Sequence, residues 1–257
     1  MTIKVFGLVR VGAAGLLVIG LAAPAMAQRV RDGRSRTSTN DRYDDSDRGP
    51  KETEHVDRTI QLPSNGTLRL KNFSGDVRIV ASSGRDVVMR ATRRATRDRL
   101  DHVKLEVSTS GSTVTIEANK RDALWERDHQ NNSVVDTEFE LQVPASANLD
   151  IEVFSSDVTI DGVNGDQRVK TFNGDIDVLN PRGPIDAETF SGDIRMTVSR
   201  DARGSVAFDT FSGEVDTALP ITSTSWRKRS VEGSLPGGSG PRMKFHTFSG
   251  DLRINSR

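Results

Sequence analysis

Six times the chain writes an aromatic residue, a small polar residue, a turn pair and then alternating apolar residues. The copies are Phe73-Ser74-Gly75-Asp76, Phe154-Ser155-Ser156-Asp157, Phe172-Asn173-Gly174-Asp175, Phe190-Ser191-Gly192-Asp193, Phe211-Ser212-Gly213-Glu214 and Phe248-Ser249-Gly250-Asp251. From Phe154 the spacings run 18, 18, 21 and 37 residues. A short, nearly fixed period marks one supersecondary unit stacked on the next, each burying the face its neighbour leaves open. The repeat therefore constrains architecture closely and names no reaction.

Each unit holds two short strands of period two. One follows the motif, as in Ile176-Asp177-Val178 and Ile194-Arg195-Met196. The other precedes the next motif, as in Val169-Lys170-Thr171, Ile185-Asp186-Ala187 and Val206-Ala207-Phe208. Gly162, Gly165, Gly183 and Gly204 stand at the corners between them. Two strands and two corners in about 18 residues fit one coil of a β-solenoid. In a strand, residues two apart share a face, so Val169 pairs with Thr171 and Ile176 with Val178. The five-residue step from Thr171 to Ile176 breaks that parity, so Phe-Asn-Gly-Asp is read as a corner. There the glycine supplies a positive φ, the Asp or Asn caps free amides, and the phenylalanines stack from coil to coil. The stack is expected inside the core, with an exposed platform for sugar rings as the alternative. The column of Asp157, Asp175, Asp193 and Asp251 is expected to cap turns, with calcium binding as the alternative.

Ahead of the regular repeats, Val77-Arg78-Ile79-Val80 and Val87-Val88-Met89 read as strands. Val103 to Val107 and Val114 to Ala118 read as a hairpin turning at Ser110-Gly111. Residues 121–132 form a polar interruption expected as a surface loop. The long step from Phe211 to Phe248 is expected as a further coil with a glycine-rich excursion. It carries Trp226, Arg227, Lys228 and Arg229 as candidate interaction residues. Because the sequence stops six residues after Asp251, the last strand is expected to need cover. The chain's own insert, a second copy associating through that C-terminal edge, or a partner strand would supply it.

The first 27 residues have the pattern of a cleaved export signal: Lys4 and Arg10, an apolar run from Val11 to Ala23, and Ala25-Met26-Ala27. That run is shorter than the ~20 residues a spanning helix needs, so no transmembrane span is expected after cleavage. A periplasmic or secreted location follows. Without Lys4 and Arg10 the chain carries 34 basic and 36 acidic residues, which excludes nucleic-acid binding through bulk charge. Residues 28–58 hold eight basic and eight acidic residues and almost nothing apolar, so they are expected as a disordered linker. The domain boundaries are then 1–27 signal, 28–58 linker and 59–257 solenoid, divided into N-terminal strands (59–136) and regular repeats (137–257).

Chemistry is thinly provided. There is no cysteine, and His55, His102, His129 and His246 have no ligand-like spacing. No glycine-rich phosphate loop precedes a helix, and the recurrent serines have no histidine beside them. No catalytic, metal-binding or cofactor-binding residue is assigned, and no cofactor is expected. Basic clusters at Arg90, Arg93, Arg94, Arg97 and Arg99 and at Arg227 to Arg229 are read as solvated loops, with acidic glycans or lipid headgroups as the alternative partners.

The stretch from Thr137 onward, with Val143-Pro144, Asp157-Val158-Thr159-Ile160, Val163-Asn164-Gly165-Asp166 and the repeated Thr-Phe-Ser-Gly-Asp, resembles the bacterial putative-adhesin domain family. The strands from Val87 to Ala118 resemble the family's N-terminal part, so about 200 residues are covered. The resemblance implies a β-solenoid at the cell envelope and carries over no functional residue. The resulting expectation is an exported, non-enzymatic module that contacts an envelope protein or glycan. An envelope-stress or assembly accessory protein and a carbohydrate-active enzyme on a β-helix are the alternatives.

Overall fold

The computed structural model describes residues 49–121, 134–227 and 229–257. The signal pattern and the polar interruption between Asp122 and Ser133 lie outside the described residues. The chain builds two sheets from short strands, and apolar residues of both close on one large buried cluster, with a small second cluster of Ala95, Leu100, Val103 and Val135.

The middle of the fold is the sequence repeat made physical. One sheet stacks β2 (Thr67–Ser74), β8 (Asn148–Ser155), β10 (Gln167–Asn173) and β12 (Ile185–Ser191), all parallel. The other stacks β3 (Val77–Ser82), β9 (Val158–Asp161), β11 (Ile176–Leu179) and β13 (Ile194–Val198) in the same sense. Leu149, Gln167 and Ile185 stand in one register, and so do Val158, Ile176 and Ile194. Along β2 the alternation is strict: Leu68, Leu70 and Asn72 point inward, and Arg69, Lys71 and Phe73 point outward.

The coils do not follow one another in chain order. After β13 the chain skips one level to lay down β14 (Ser205–Ser212) and β15 (Val215–Thr217). It then forms the antiparallel pair β16 (Thr222–Arg227) and β17 (Ser230–Ser234) on the outer edge of β14. Only then does it return to fill the vacant level, with β18 (Arg242–Ser249) between β12 and β14 and β19 (Leu252–Ser256) between β13 and β15. The expected sequential stacking is thus replaced by an insertion, and the long step before Phe248 is an antiparallel strand pair with a return loop. The expected edge at Leu252 to Arg257 is not an edge: β19 is paired on both sides. Its outer neighbour is β15 of the fifth repeat, which was not among the covers considered.

The other end is closed in a related way. β6 (Thr113–Arg121) and β7 (Asp136–Pro144) form a coil beyond β2 and β3. On it lie β4 (Asp86–Thr96) and β5 (Val103–Ser110), both antiparallel and linked by α1 (Arg97–His102). The hairpin expected around Ser110-Gly111 is β5 and β6. An outer strand, β1 (Lys51–Gln61), pairs along the whole of β4. Order therefore begins inside the segment expected as linker. The cause is that β1 lies on an edge, so its side chains are almost all exposed and show no apolar period. Backbone pairing holds it, with Glu54 paired to the buried Arg93 and Glu52 to Arg97. The basic cluster on β4 and α1 is likewise no solvated loop, since Arg94 pairs with Glu138, Arg90 with Glu140 and Arg97 also with Asp101.

The insertion has a mechanical consequence. β14 is laddered only to β17 and β18, and β15 only to β19, so residues 205–234 are tied to the main stack through the last sixteen residues. Deletion of residues 242–257 is expected to leave 49–121 and 134–198 protease-resistant and to expose 200–241 to cutting. Unchanged resistance of that region in limited proteolysis read by mass spectrometry would refute this topology.

Candidate functional site

The six motif corners stack into three parallel columns: glycine (with Ser156 in its place in the second copy), carboxylate and phenylalanine. Inward of them is a fourth, of threonine. Thr171, Thr189 and Thr247 are buried, and their hydroxyls donate to the carbonyls of Ser156, Gly174 and Gly192 in the neighbouring coil at 3.1–3.3 Å. In the first coil Asn72 takes this place, its amide reaching the carbonyls of Ser74, Gly75 and Thr137. The corners at Phe172, Phe190 and Phe248 are thereby tied to a neighbouring coil by a buried side chain as well as by the ladder, whereas the second copy carries Val153 at this place and has no such donor.

The glycines are demanded by close approach. Gly174, Gly192 and Gly250 have φ of 151°, 150° and 155°, and a Cβ on any of them would lie 2.0–2.1 Å from the carbonyl oxygen of the coil beside it. No side chain fits there. The carboxylate column relays from coil to coil. The backbone N–H groups of Asp157, Asp175, Asp193, Asp251 and Glu214 donate to Oδ1 of Asp76, Asp157, Asp175, Asp193 and Asp251, at 2.8–3.3 Å. The other carboxylate oxygens meet arginine: Arg195 bonds Asp175 at 2.7 Å and Asp193 at 3.3 Å, and Arg253 lies 3.0 Å from Asp193 and 3.4 Å from Asp251. These contacts raise the Arg195 guanidinium further, chiefly through its hydrogen bond to Asp175. The turn-capping role expected for the aspartates is what the geometry shows. Among the described residues no group of three or more His, Asp or Glu is gathered as for a metal.

The phenylalanines form the outermost column. Their order in space is Phe73, Phe154, Phe172, Phe190, Phe248, Phe211, with ring centroids 4.7–4.9 Å apart and planes within 14° of parallel. The expected stacking is present, but its expected burial is not: the six residues are 40–58% exposed. The reason is parity. Thr171, Thr189, Thr210 and Thr247 point inward, so the phenylalanine that follows each of them points out. The alternation of Val169 with Thr171 already held this information.

Two columns of charge flank the rings on the same face. Lys71, Glu152, Lys170, Glu188, His246 and Asp209 lie side by side two residues before the phenylalanines. Two residues further back stand Arg69, Asp150, Arg168, Asp186 and Lys244. Sign alternates from coil to coil from Lys71 to Glu188 and from Arg69 to Lys244, with His246 standing between Glu188 and Asp209, and neighbours pair: Arg69 with Asp150 at 2.8 Å, Lys71 with Glu152 at 3.3 Å, Lys170 with Glu188 at 2.7 Å. The hydrogen bond from Lys170 holds the Glu188 carboxyl below its usual range. A shallow groove runs between this column and the rings, lined by Glu152, Lys170, Glu188 and His246 on one side and Phe172, Phe190 and Phe248 on the other.

Of the four candidate interaction residues, Arg229 belongs to this site. Its guanidinium lies over the Phe211 ring, 5.2 Å from the centroid, at one end of the column. Arg227 is exposed at the end of β16. Lys228 and the side chain of Trp226 lie outside the described residues. Sequence reasoning assigned no role to the charged columns, although Lys71, Glu152, Lys170 and Glu188 already alternate in chain order; only the place of His246 before Asp209 needs the coil order.

Residues 57–255 match the family model described as Toastrack DUF4097. Among solved structures, a putative cell adhesion protein from Clostridium sporogenes is similar, with a TM-score of 0.56 at 11% identity, over 80% of this chain and all of that one. A putative adhesin from Bacteroides fragilis aligns with a TM-score of 0.30 at 9% identity, over 79% of this chain and 97% of that one. A putative lipid binding protein from Parabacteroides distasonis gives 0.35 at 12% identity, over 80% of this chain and 97% of that one. No curated protein matches. The first similarity shows the fold.

Gly192→Ala is expected to cost about 3 kcal/mol or more, since it combines a strained φ with a backbone clash. Gly111→Ala, at φ 58° with nothing within 4 Å of the added carbon, is expected to cost only about 1 kcal/mol. Equal losses in urea denaturation would contradict the close packing of the corners. For Glu188, the depressed value means that its stabilising contribution is present at neutral pH and fades as pH falls through the folded-state pKa. Carboxyl NMR is expected to place its midpoint below that of an ordinary glutamate, and Lys170→Met to move it upward.

Proposed function

We propose that this chain, which belongs to the Toastrack DUF4097 family, is an exported, non-enzymatic, adhesin-like module that works by surface contact through its phenylalanine ladder. The scaffold is a β-solenoid that advances one coil per 18 residues in its regular part and presents one side-chain column per motif position. The observation that carries the reading is the half-exposure of all six phenylalanines in one unbroken stack. Single exposed aromatics are ordinary on strands, but here six stand in one column. A contiguous apolar ridge of several hundred Å² rimmed by charge is the mark of a contact site. The cell-adhesion label of the Clostridium sporogenes protein agrees with this reading, and at 11% identity it vouches for the fold alone. The export pattern of the first 27 residues would deliver the ladder to the envelope or beyond it.

The test is retention of envelope preparations on beads coated with the purified protein. Phe172→Ser with Phe190→Ser removes the two central rungs and is expected to lower retention on the order of tenfold, as loss of a central anchor does. The fold is expected to persist, because each stacked pair contributes only about 0.5–1.5 kcal/mol beyond its buried area. Thr159→Ala, on the opposite sheet, serves as the control. Equal retention by the two variants, both folded by circular dichroism, would overturn the reading.

A further inference from the structure

The chemistry of the ladder narrows what can sit on it. Each inner ring has a parallel neighbour on both faces at 4.7–4.9 Å, so no whole face is open for a pyranose to stack on. What remains is a straight apolar ridge six rungs long, bordered on one side by charges whose sign alternates. A ligand that matches it needs the same rise per rung and the same alternation, and this chain itself has both.

We propose that the ladder is the contact surface for a second copy of this chain, the two ridges running antiparallel about a two-fold axis that passes between Phe172 and Phe190. This rests on the ladder being an interaction surface. The axis carries rung one onto rung six, two onto five and three onto four. Lys170 then faces the partner's Glu188, Lys71 faces the partner's Asp209 and Glu152 faces the partner's His246. In the column further back, Arg168 faces the partner's Asp186 and Asp150 faces the partner's Lys244. Each of these facings joins an acidic residue to a basic residue or to histidine. Without the displaced last coil the sequence of signs would change, because His246 and Asp209 would exchange places. The size is also suitable. Six rings exposed by 40–58% present roughly 500 Å² of apolar surface, taking about 200 Å² per phenylalanine. With the two charged columns the patch approaches the ~800 Å² per partner of a standard interface. An isologous pairing also covers an apolar ridge that would otherwise invite aggregation.

Sedimentation equilibrium of the purified protein is the test. The unaltered protein is expected to dimerise at micromolar concentration. Lys170→Glu gives a column with two acids at its centre, and Glu188→Lys gives one with two bases. Each variant is expected to weaken self-association tenfold or more, and an equimolar mixture of the two is expected to restore it, since each centre now meets its opposite. Recovery on mixing cannot come from the intrachain Lys170 to Glu188 pair, which stays broken in both. A mixture that remains monomeric overturns the proposal, as does an unaltered protein that is monomeric at about 100 μM. If the protein is monomeric yet the Phe172→Ser, Phe190→Ser variant still loses envelope retention, self-pairing falls and the ladder remains a surface for another partner. Release of that retention by a soluble polysaccharide would then make the partner a glycan. If the ladder variant changes neither association nor retention, the functional reading falls with it.

Discussion

Everything in this molecule depends on an in-register parallel ladder whose rungs are about 4.8 Å apart. The ladder puts equivalent residues of successive coils directly beside one another, so each position of the motif becomes a column. Columns reward self-compatible chemistry. Glycine lets carbonyls approach closely, threonine donates to the carbonyl of the coil beside it, and aspartate accepts from the neighbouring amide while an arginine screens its remaining charge. A column of like charge would repel from strand to strand, and the outer face of β2, β8, β10 and β12 answers this by alternating sign. With no disulfide available, these contacts between coils and the slender apolar core carry the stability.

Much of this was legible in the sequence, because a period is a local property. The two strands per unit, the glycine corners, the capping aspartates and the stacking of phenylalanine could all be read from six copies of one motif. The order of the coils could not, because it is a choice among pairings far apart in the chain, and the β12 to β18 pairing joins Ile185 to Met243. One residue nevertheless marks it. An aspartate recurs wherever another coil must be capped, while the terminal coil carries Glu214, whose amide is the last acceptor's donor and whose carboxylate has no further coil to serve. Substitution of Asp by Glu in the fifth copy, and its return in the sixth, was the signal that the fifth ends the stack.

The exposure of the ladder was missed for a different reason. Aromatic residues are expected inside, and that expectation outweighed the alternation that put Thr171 and Thr189 there instead. Strand parity is the stronger constraint, since a one-residue change of face would turn Val169 and Ile185 outward as well. The edge strand β1 escaped notice for the opposite reason. It buries so little that no pattern was imposed on it, and the backbone of β4 holds it with the help of Arg93 and Arg97.

Function has to be sought in what the scaffold does not require. Alternating charge is explained within one chain, since neighbouring coils pair their own acids and bases. The glycines, threonines and aspartates are explained by the corner. Stacking between coils accounts for part of the outward phenylalanine, but a serine or threonine at that position would also satisfy the strand and keep the ridge wet. A repeat that holds phenylalanine at this one outward position in all six copies spends solubility on a surface that solvent gives it no reason to keep. On the proposed reading, a contact that covers this ridge is the property to which the rest of the outer face is fitted, and the alternating charges beside it, although sufficient within one chain, would determine which second surface can approach.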